Sequence, residues 1–124
     1  MAVKKVLLVE DDPQIRGLVN LLLTHDEIAV TESCDGAETL EHLARETFDV
    51  ILLDIMMPVL DGFEVLRRIR AERLNANTPV VVLTSRSQDA DILKGYALGA
   101  TLYITKPFEP EDLVGQVHQL LGLI

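Results

Sequence analysis

Val50-Ile51-Leu52-Leu53-Asp54 is an unbroken apolar run that ends in a carboxylate, and three other segments have the same form. Val6-Leu7-Leu8-Val9 runs into Glu10-Asp11-Asp12, Val80-Val81-Val82-Leu83 into Thr84, and Leu102-Tyr103-Ile104-Thr105 into Lys106-Pro107. Short continuous apolar runs separated by helix-like stretches read as strands of a parallel sheet covered on both faces. In an open parallel sheet the carboxyl ends of the strands share one edge, and ligands bind there. Carboxylates, a hydroxyl and an ammonium therefore converge on one crevice, a set suited to a divalent cation and a phosphoryl group.

Outward from these runs the chain alternates strand and helix five times, without repeats or low-complexity segments. Strands are expected at 4–10, 28–34, 50–54, 80–84 and 101–105. Asp12 is a candidate N-cap with Pro13 at the first helical position, a clean start for helix one. Strand two mixes Ile28 and Val30 with Thr31 and Glu32, as an edge strand would. Asp35-Gly36 turns into helix two, with Ala37, Leu40, Leu43 and Ala44 on one face. Pro58 and Asp61-Gly62 mark the loop before helix three, which buries Phe63, Leu66 and Ile69. Helix four, over 88–98, offers Ile92, Leu93, Tyr96 and Ala97 as its apolar face, and Gly99 closes it. Helix five carries Leu113, Val117, Leu120 and Leu121. The most apolar strands, one, three and four, belong in the centre. The expected fold is α/β: a doubly wound, five-stranded parallel sheet of order 2-1-3-4-5, flavodoxin-like, with helices on both faces.

The 124 residues are expected to form one domain, 1–124, large enough for a core without disulfide or metal staples. Lys4 and Lys5 precede an apolar run that stops at three acids, too short for the core of a secretory leader. Cys34 is the only cysteine, so no internal disulfide forms, which fits a cytoplasmic location and a structural role for the thiol. The net charge of −9 argues against direct DNA binding and against an anionic membrane surface. His25, His42 and His118 are scattered away from the strand ends and read as surface or helix-end residues. Arg67, Arg68, Arg70 and Arg73 read as a solvated helix face.

Asp11, Asp12 and Asp54 fall at the switch point between strands one and three. Carboxylates without histidine or cysteine beside them make a hard oxygen site, favouring Mg²⁺ or Mn²⁺. Phosphoryl transfer needs charge neutralisation and in-line positioning more than covalent help. The cation and Lys106 would neutralise, Thr84 would bond a phosphoryl oxygen, and Asp54, ending the most apolar strand, is the candidate nucleophile. The apolar residues of helix one, from Ile15 and Leu18 to Leu23, span a wider arc than a core-facing stripe needs. One edge is therefore expected to be exposed, with Ile15, Leu18, Pro107 and Phe108 as candidates for docking a phosphodonor's helices.

Together these residues resemble the receiver domain of two-component response regulators, of the single-domain chemotaxis-like type. The matched features span the chain: Glu10-Asp11-Asp12, Leu53-Asp54, Met57-Pro58, Asp61-Gly62, Thr84-Ser85, Gly99-Ala100, Tyr103 and Lys106-Pro107-Phe108. The resemblance implies that Asp54 accepts a phosphoryl group from a histidine kinase or a histidine phosphotransfer protein. It implies Mg²⁺ placed by Asp11, Asp12, Asp54 and the Met56 carbonyl, and phosphate contacts from Thr84, Ser85 and Lys106. Thr84 and Tyr103 would act as switch residues reshaping the helix four, strand five and helix five face, and Lys106–Pro107 would be cis. Two positions depart from relatives joined to winged-helix DNA-binding domains: Thr101-Leu102 stand where such relatives have two aspartates. No output domain follows helix five, so the expectation is a regulator acting in trans or a receiver taken from a longer chain.

Three other functions compete. A haloacid-dehalogenase-like phosphohydrolase needs a second acid two residues after its nucleophile, where Met56 stands. A nucleotide or flavin binder needs a glycine-rich loop, and the first loop here is acidic. A phosphorylation-independent interaction module has no need of a complete acidic pocket. Within the receiver reading, a phosphorelay intermediate that passes the phosphoryl group onward is the alternative to a terminal switch.

Overall fold

The computed structural model describes residues 3–57 and 60–123; Pro58 lies outside them. Ten elements alternate along the chain: β1 Lys4–Val9, α1 Pro13–Leu23, β2 Ile28–Ser33, α2 Gly36–Arg45, β3 Val50–Leu53, α3 Gly62–Ala71, β4 Val80–Thr84, α4 Asp89–Ala97, β5 Leu102–Thr105 and α5 Pro110–Leu121. The five strands are all parallel, in the order β2-β1-β3-β4-β5. β1 and β3 end with their apolar runs, one residue short of the expected spans 4–10 and 50–54. The residues beyond those ends, Glu10 and Asp54, leave the ladder for the crevice.

Strand residues alternate between two cores. Leu7, Val9, Ile51, Leu53, Val80 and Val82 pack beneath α2 and α3 through Leu43, Val65, Leu66 and Ile69. Val6, Leu8, Val50, Leu52, Val81 and Leu83 pack beneath α1 and α5 through Val19, Leu23, Leu113, Val117 and Leu121. Burial on both faces explains why the central strands lack polar alternation.

Helix starts are set by side-chain caps. Asp12 accepts from the Gln14 and Ile15 amides, Asp35 from Glu38 and Asp61 from Phe63. At Gly62 a Cβ would stand 2.1 Å from Ile55 Cα, so only glycine lets α3 begin against the segment after β3. Gly99 closes α4 with φ of 106°, a left-handed conformation that favours glycine.

Three expectations need correction. α4 does not bury Leu93, Tyr96 and Ala97; Leu93 is 70% and Tyr96 46% exposed. The helix packs through Gly95, where an added Cβ would meet the Tyr103 ring at 2.8 Å, so closeness rather than side-chain volume makes the contact. Arg70 is not part of a solvated face. Its guanidinium donates to the carbonyls of Gly99, Ala76 and Thr78 and ties the end of α3 to the loops before β4 and β5. Cys34 is exposed, with its thiol 3.8 Å from Glu38 Oε2, and holds no core position. Among the described residues, no helix is long and apolar enough to cross a membrane.

Candidate functional site

Parallel register aligns the site. Val9 pairs with Leu53, so the residues that follow, Glu10 and Asp54, stand side by side, and the Asp54 amide donates to the Val9 carbonyl. Thr84 pairs with Thr105, which brings Lys106 to the same edge. Carboxylate oxygens of Glu10, Asp11 and Asp54 lie within 4.8 Å of one another. Lys106 Nζ donates to Glu10 Oε1 at 2.6 Å and to Asp54 Oδ2 at 3.1 Å.

Asp12 is not in this group. Its carboxylate is used as the cap of α1, and its amide instead braces the site by donating to Glu10 Oε2 at 3.2 Å. Glu10 takes the place assigned to Asp12, a difference of two residues along the chain. Register is the signal that finds it: the acid directly after Val9 is level with the acid directly after Leu53. Arg16 supports the same turn, with its guanidinium donating to the Glu10 carbonyl at 2.8 Å and to the Asp11 carbonyl at 3.4 Å.

The electrostatics follow from two buried carboxylates, Glu10 and Asp54, sharing one ammonium. Burial raises the Glu10 carboxyl to about 7, with the Asp54 charge adding to the rise and the Lys106 hydrogen bond opposing it. Burial works against the Lys106 charge, yet its bonds to Glu10 and the nearby Asp54 charge hold it above the usual lysine range. The donors are all hard oxygens and carry excess negative charge, so they fit a small divalent cation such as Mg²⁺. The Met56 amide donates to Asp54 Oδ1 at 2.9 Å and fixes the carboxylate's orientation.

The rim comes from β4 and the loop after it. Thr84 is fully buried, and its hydroxyl accepts from the Arg86 amide at 3.3 Å. Ser85, expected to face a phosphate, directs its hydroxyl to Met56 Sδ at 3.0 Å. The Arg86 guanidinium pairs with Asp91 at 2.7 Å and lies 5.1 Å from the centre of the Phe63 ring. Tyr103 donates its hydroxyl to the Arg86 carbonyl at 2.7 Å, which links β5 to the loop that begins at Thr84. The Lys106–Pro107 peptide is cis. On α1, Leu18 is 47% and Leu21 73% exposed, so the wide apolar arc does leave one edge in solvent. Ile15 and Phe108 pack partly against the α1/α5 core, while Pro107 is exposed.

Residues 6–118 match the response regulator receiver domain family. The chain belongs to that family. The transcriptional regulatory protein ResD of Bacillus subtilis is 38% identical over 94% of the receiver and 48% of its own length. The receiver thus spans about half the length of the curated relatives it matches. The Vibrio cholerae chemotaxis protein CheY4 is 36% identical with a TM-score of 0.89, over 97% of the receiver and all of that chain. The receiver domain of the Pseudomonas aeruginosa sensor histidine kinase PA1611, solved with magnesium in its active site cleft, is 30% identical with a TM-score of 0.87, covering 98% and 99% of the two chains.

Proposed function

We propose that Asp54 is the phosphoacceptor of this receiver and that Glu10, Asp11 and Asp54 hold the Mg²⁺ the transfer requires. The observation that carries the reading is the clustering of the Glu10, Asp11 and Asp54 carboxylates at the carboxyl edge of the sheet, where Lys106 bridges Glu10 and Asp54. The bound cation would supply neutralisation of the phosphoryl oxygens. An Asp54 carboxylate oxygen forms the new bond to phosphorus as the nitrogen–phosphorus bond of a phosphohistidine breaks, and the donor imidazole keeps the electron pair. The Met56 amide keeps Asp54 oriented, Lys106 follows the charge onto the phosphoryl group, and the Met56 carbonyl would help hold the cation. PA1611, whose cleft holds magnesium, supports this use of the cleft. Phosphodonors are a histidine kinase or a histidine phosphotransfer protein, which dock on Leu18 and Ile15 of α1 and on Pro107-Phe108. The domain comprises residues 1–124 and works in the cytoplasm.

Switching runs through Thr84. Its hydroxyl is shared with the Arg86 amide, and the Arg86 carbonyl receives the Tyr103 hydroxyl, so a Thr84 drawn to a phosphoryl oxygen re-sets the α4, β5 and α5 face. With Thr101-Leu102 before Tyr103, that face signals in trans without DNA contact by this domain. Relay of the phosphoryl group onward is the second outcome, distinguished by back-transfer to a phosphotransfer histidine.

Incubation with acetyl phosphate and Mg²⁺, read by intact mass, tests the proposal. One phosphoryl addition is expected, absent in Asp54→Asn and in EDTA. Addition that survives Asp54→Asn would refute the assignment.

A further inference from the structure

α4 is held differently from the helices before it. α1, α2 and α3 each begin on a side-chain cap, whereas Gln88 ahead of α4 makes no side-chain cap. Of the nine residues of α4 only Gly95 is buried. What fastens the first turn is Asp91, whose carboxylate accepts from the Arg86 guanidinium at 2.7 Å. The pair is only partly open to solvent, with 17% of the Asp91 side chain and 39% of the Arg86 side chain exposed. The same guanidinium lies 5.1 Å from the centre of the Phe63 ring, and Lys94 of α4 lies 4.5 Å from it. Phe63 is buried and its amide donates to Asp61 at 2.9 Å, so the ring is a fixed point on α3. The Arg86 backbone meanwhile stands in the switch path, its amide donating to the Thr84 hydroxyl and its carbonyl accepting from the Tyr103 hydroxyl. One residue therefore ties the loop after Thr84 to α3, α4 and β5 at once.

We propose that the Arg86–Asp91 pair, braced on Phe63, is a latch that holds the Thr84 loop in its unphosphorylated setting, which makes Asp91 a positioning residue for phosphorylation of Asp54. The inference rests on the phosphoacceptor reading and adds the regulation of that site. Thr84 is fully buried, with its hydroxyl engaged by the Arg86 amide. For that hydroxyl to meet a phosphoryl oxygen, the segment from Thr84 to Arg86 must move toward the crevice. The Arg86 side chain is then drawn away from Asp91 and from the Phe63 ring. A contact present in one state only biases the equilibrium toward that state by its own free energy. A protein whose competent form is the minor one reacts in proportion to the population of that form. Among the described residues the Asp91 carboxylate bonds only to Arg86, so its loss raises the competent fraction without altering the crevice.

The test uses the full chain with acetyl phosphate and Mg²⁺, the rate of phosphoryl addition being read by intact mass. Asp91→Asn and Asp91→Ala should raise the initial rate by about three- to fivefold, the upper end for a partly exposed ion pair. Asp91→Glu keeps the charge and should stay closer to the parent than to Asp91→Asn. Asp89→Asn removes an exposed acid from the same turn, so it controls for charge at the helix end and should change the rate by less than about 1.5-fold. Resonance directions supply a readout that mere loosening would not move. In unphosphorylated Asp91→Asn, the Thr84, Arg86 and Tyr103 resonances should lie part of the way along the line to their positions in the phosphorylated parent. Raising NaCl from about 0.05 to 0.5 M should move the unsubstituted protein along the same line, because salt screens the pair. The latch is overturned, with the phosphoacceptor reading intact, if the parent is labelled but Asp91→Asn is labelled no faster. An equal gain in Asp89→Asn, resonances that leave that line, or no movement with salt overturns it in the same way. No labelling of the parent overturns both.

Discussion

Replacing Glu10 with glutamine should stabilise the metal-free protein at alkaline pH and not at acid pH. Glu10 is buried among Asp11, Asp54 and Lys106, and its carboxyl rises from 4.5 to about 7, chiefly through burial. Below 4.5 the carboxyl is neutral in both folded and unfolded chains and contributes nothing. Between 4.5 and about 7 the unfolded chain gives up the proton while the folded chain keeps it, so stability falls as pH rises. Above that window the loss is complete. At about 1.4 kcal/mol per pH unit it amounts to roughly 3 kcal/mol. A glutamine at this position mimics the neutral acid at every pH, so the variant lacks this fall. The difference between the two curves reports Glu10 together with the groups that it touches, chiefly Lys106.

The assay is urea unfolding in EDTA, followed by circular dichroism because the chain has no tryptophan. At pH 5 Glu10→Gln should match the parent within about 1 kcal/mol, and at pH 8 it should exceed it by about 2 to 3 kcal/mol. Mg²⁺ should reverse the order. It stabilises the parent by mass action on the folded state, more at pH 8 than at pH 6 because the proton on Glu10 competes, and the variant gains less. A variant less stable than the parent at pH 8 in EDTA, or a difference that does not vary with pH, would show that the Glu10–Lys106 pair is net stabilising and refute the reasoning.

Other positions give sharper structural tests. Asn75→Ala removes a fully buried amide that accepts from the Phe48 amide and donates to the Leu43 and Glu46 carbonyls; leaving these groups unpaired should cost about 3 kcal/mol or more, seen as a lower urea midpoint. Gly62→Ala forces a Cβ onto Ile55 and should destabilise by several kcal/mol, about 3 or more; a variant that unfolds like the parent would remove glycine's role at the start of α3. Leu18→Ser, at a half-exposed position, should leave stability within about 0.5 kcal/mol and acetyl phosphate labelling unchanged, while slowing transfer from the cognate kinase; an unaltered transfer rate excludes Leu18 from docking. Met56, 51% exposed, and Arg86 border one cavity with Ile55 and Asp61 and should shield the acyl phosphate from water; a half-life of seconds, measured by loss of the phosphoryl mass, would contradict this.

How far the sequence reaches depends on what kind of interaction sets each feature. The sheet order was legible because burial on both faces imposes uniform apolar runs on β1, β3 and β4, and the right-handed crossover then leaves few topologies. The convergence of Asp54, Thr84 and Lys106 was legible too, because parallel strands put their ends at one edge. Choosing between Glu10 and Asp12 needed the register of β1 against β3, which differs from a plausible alternative by one or two residues and has no local signature. Asp12 had the stronger local signature, but as a cap, and its Oδ1 is used on the Gln14 and Ile15 amides. The apolar face of α4 misled for a related reason. Periodicity marks where side chains bury area, but α4 docks by close approach at Gly95 against Tyr103, a contact made by the absence of a side chain. Leu93 and Tyr96 keep the helical period yet stay 70% and 46% exposed, because the helix reaches the sheet at Gly95 and not through its larger side chains.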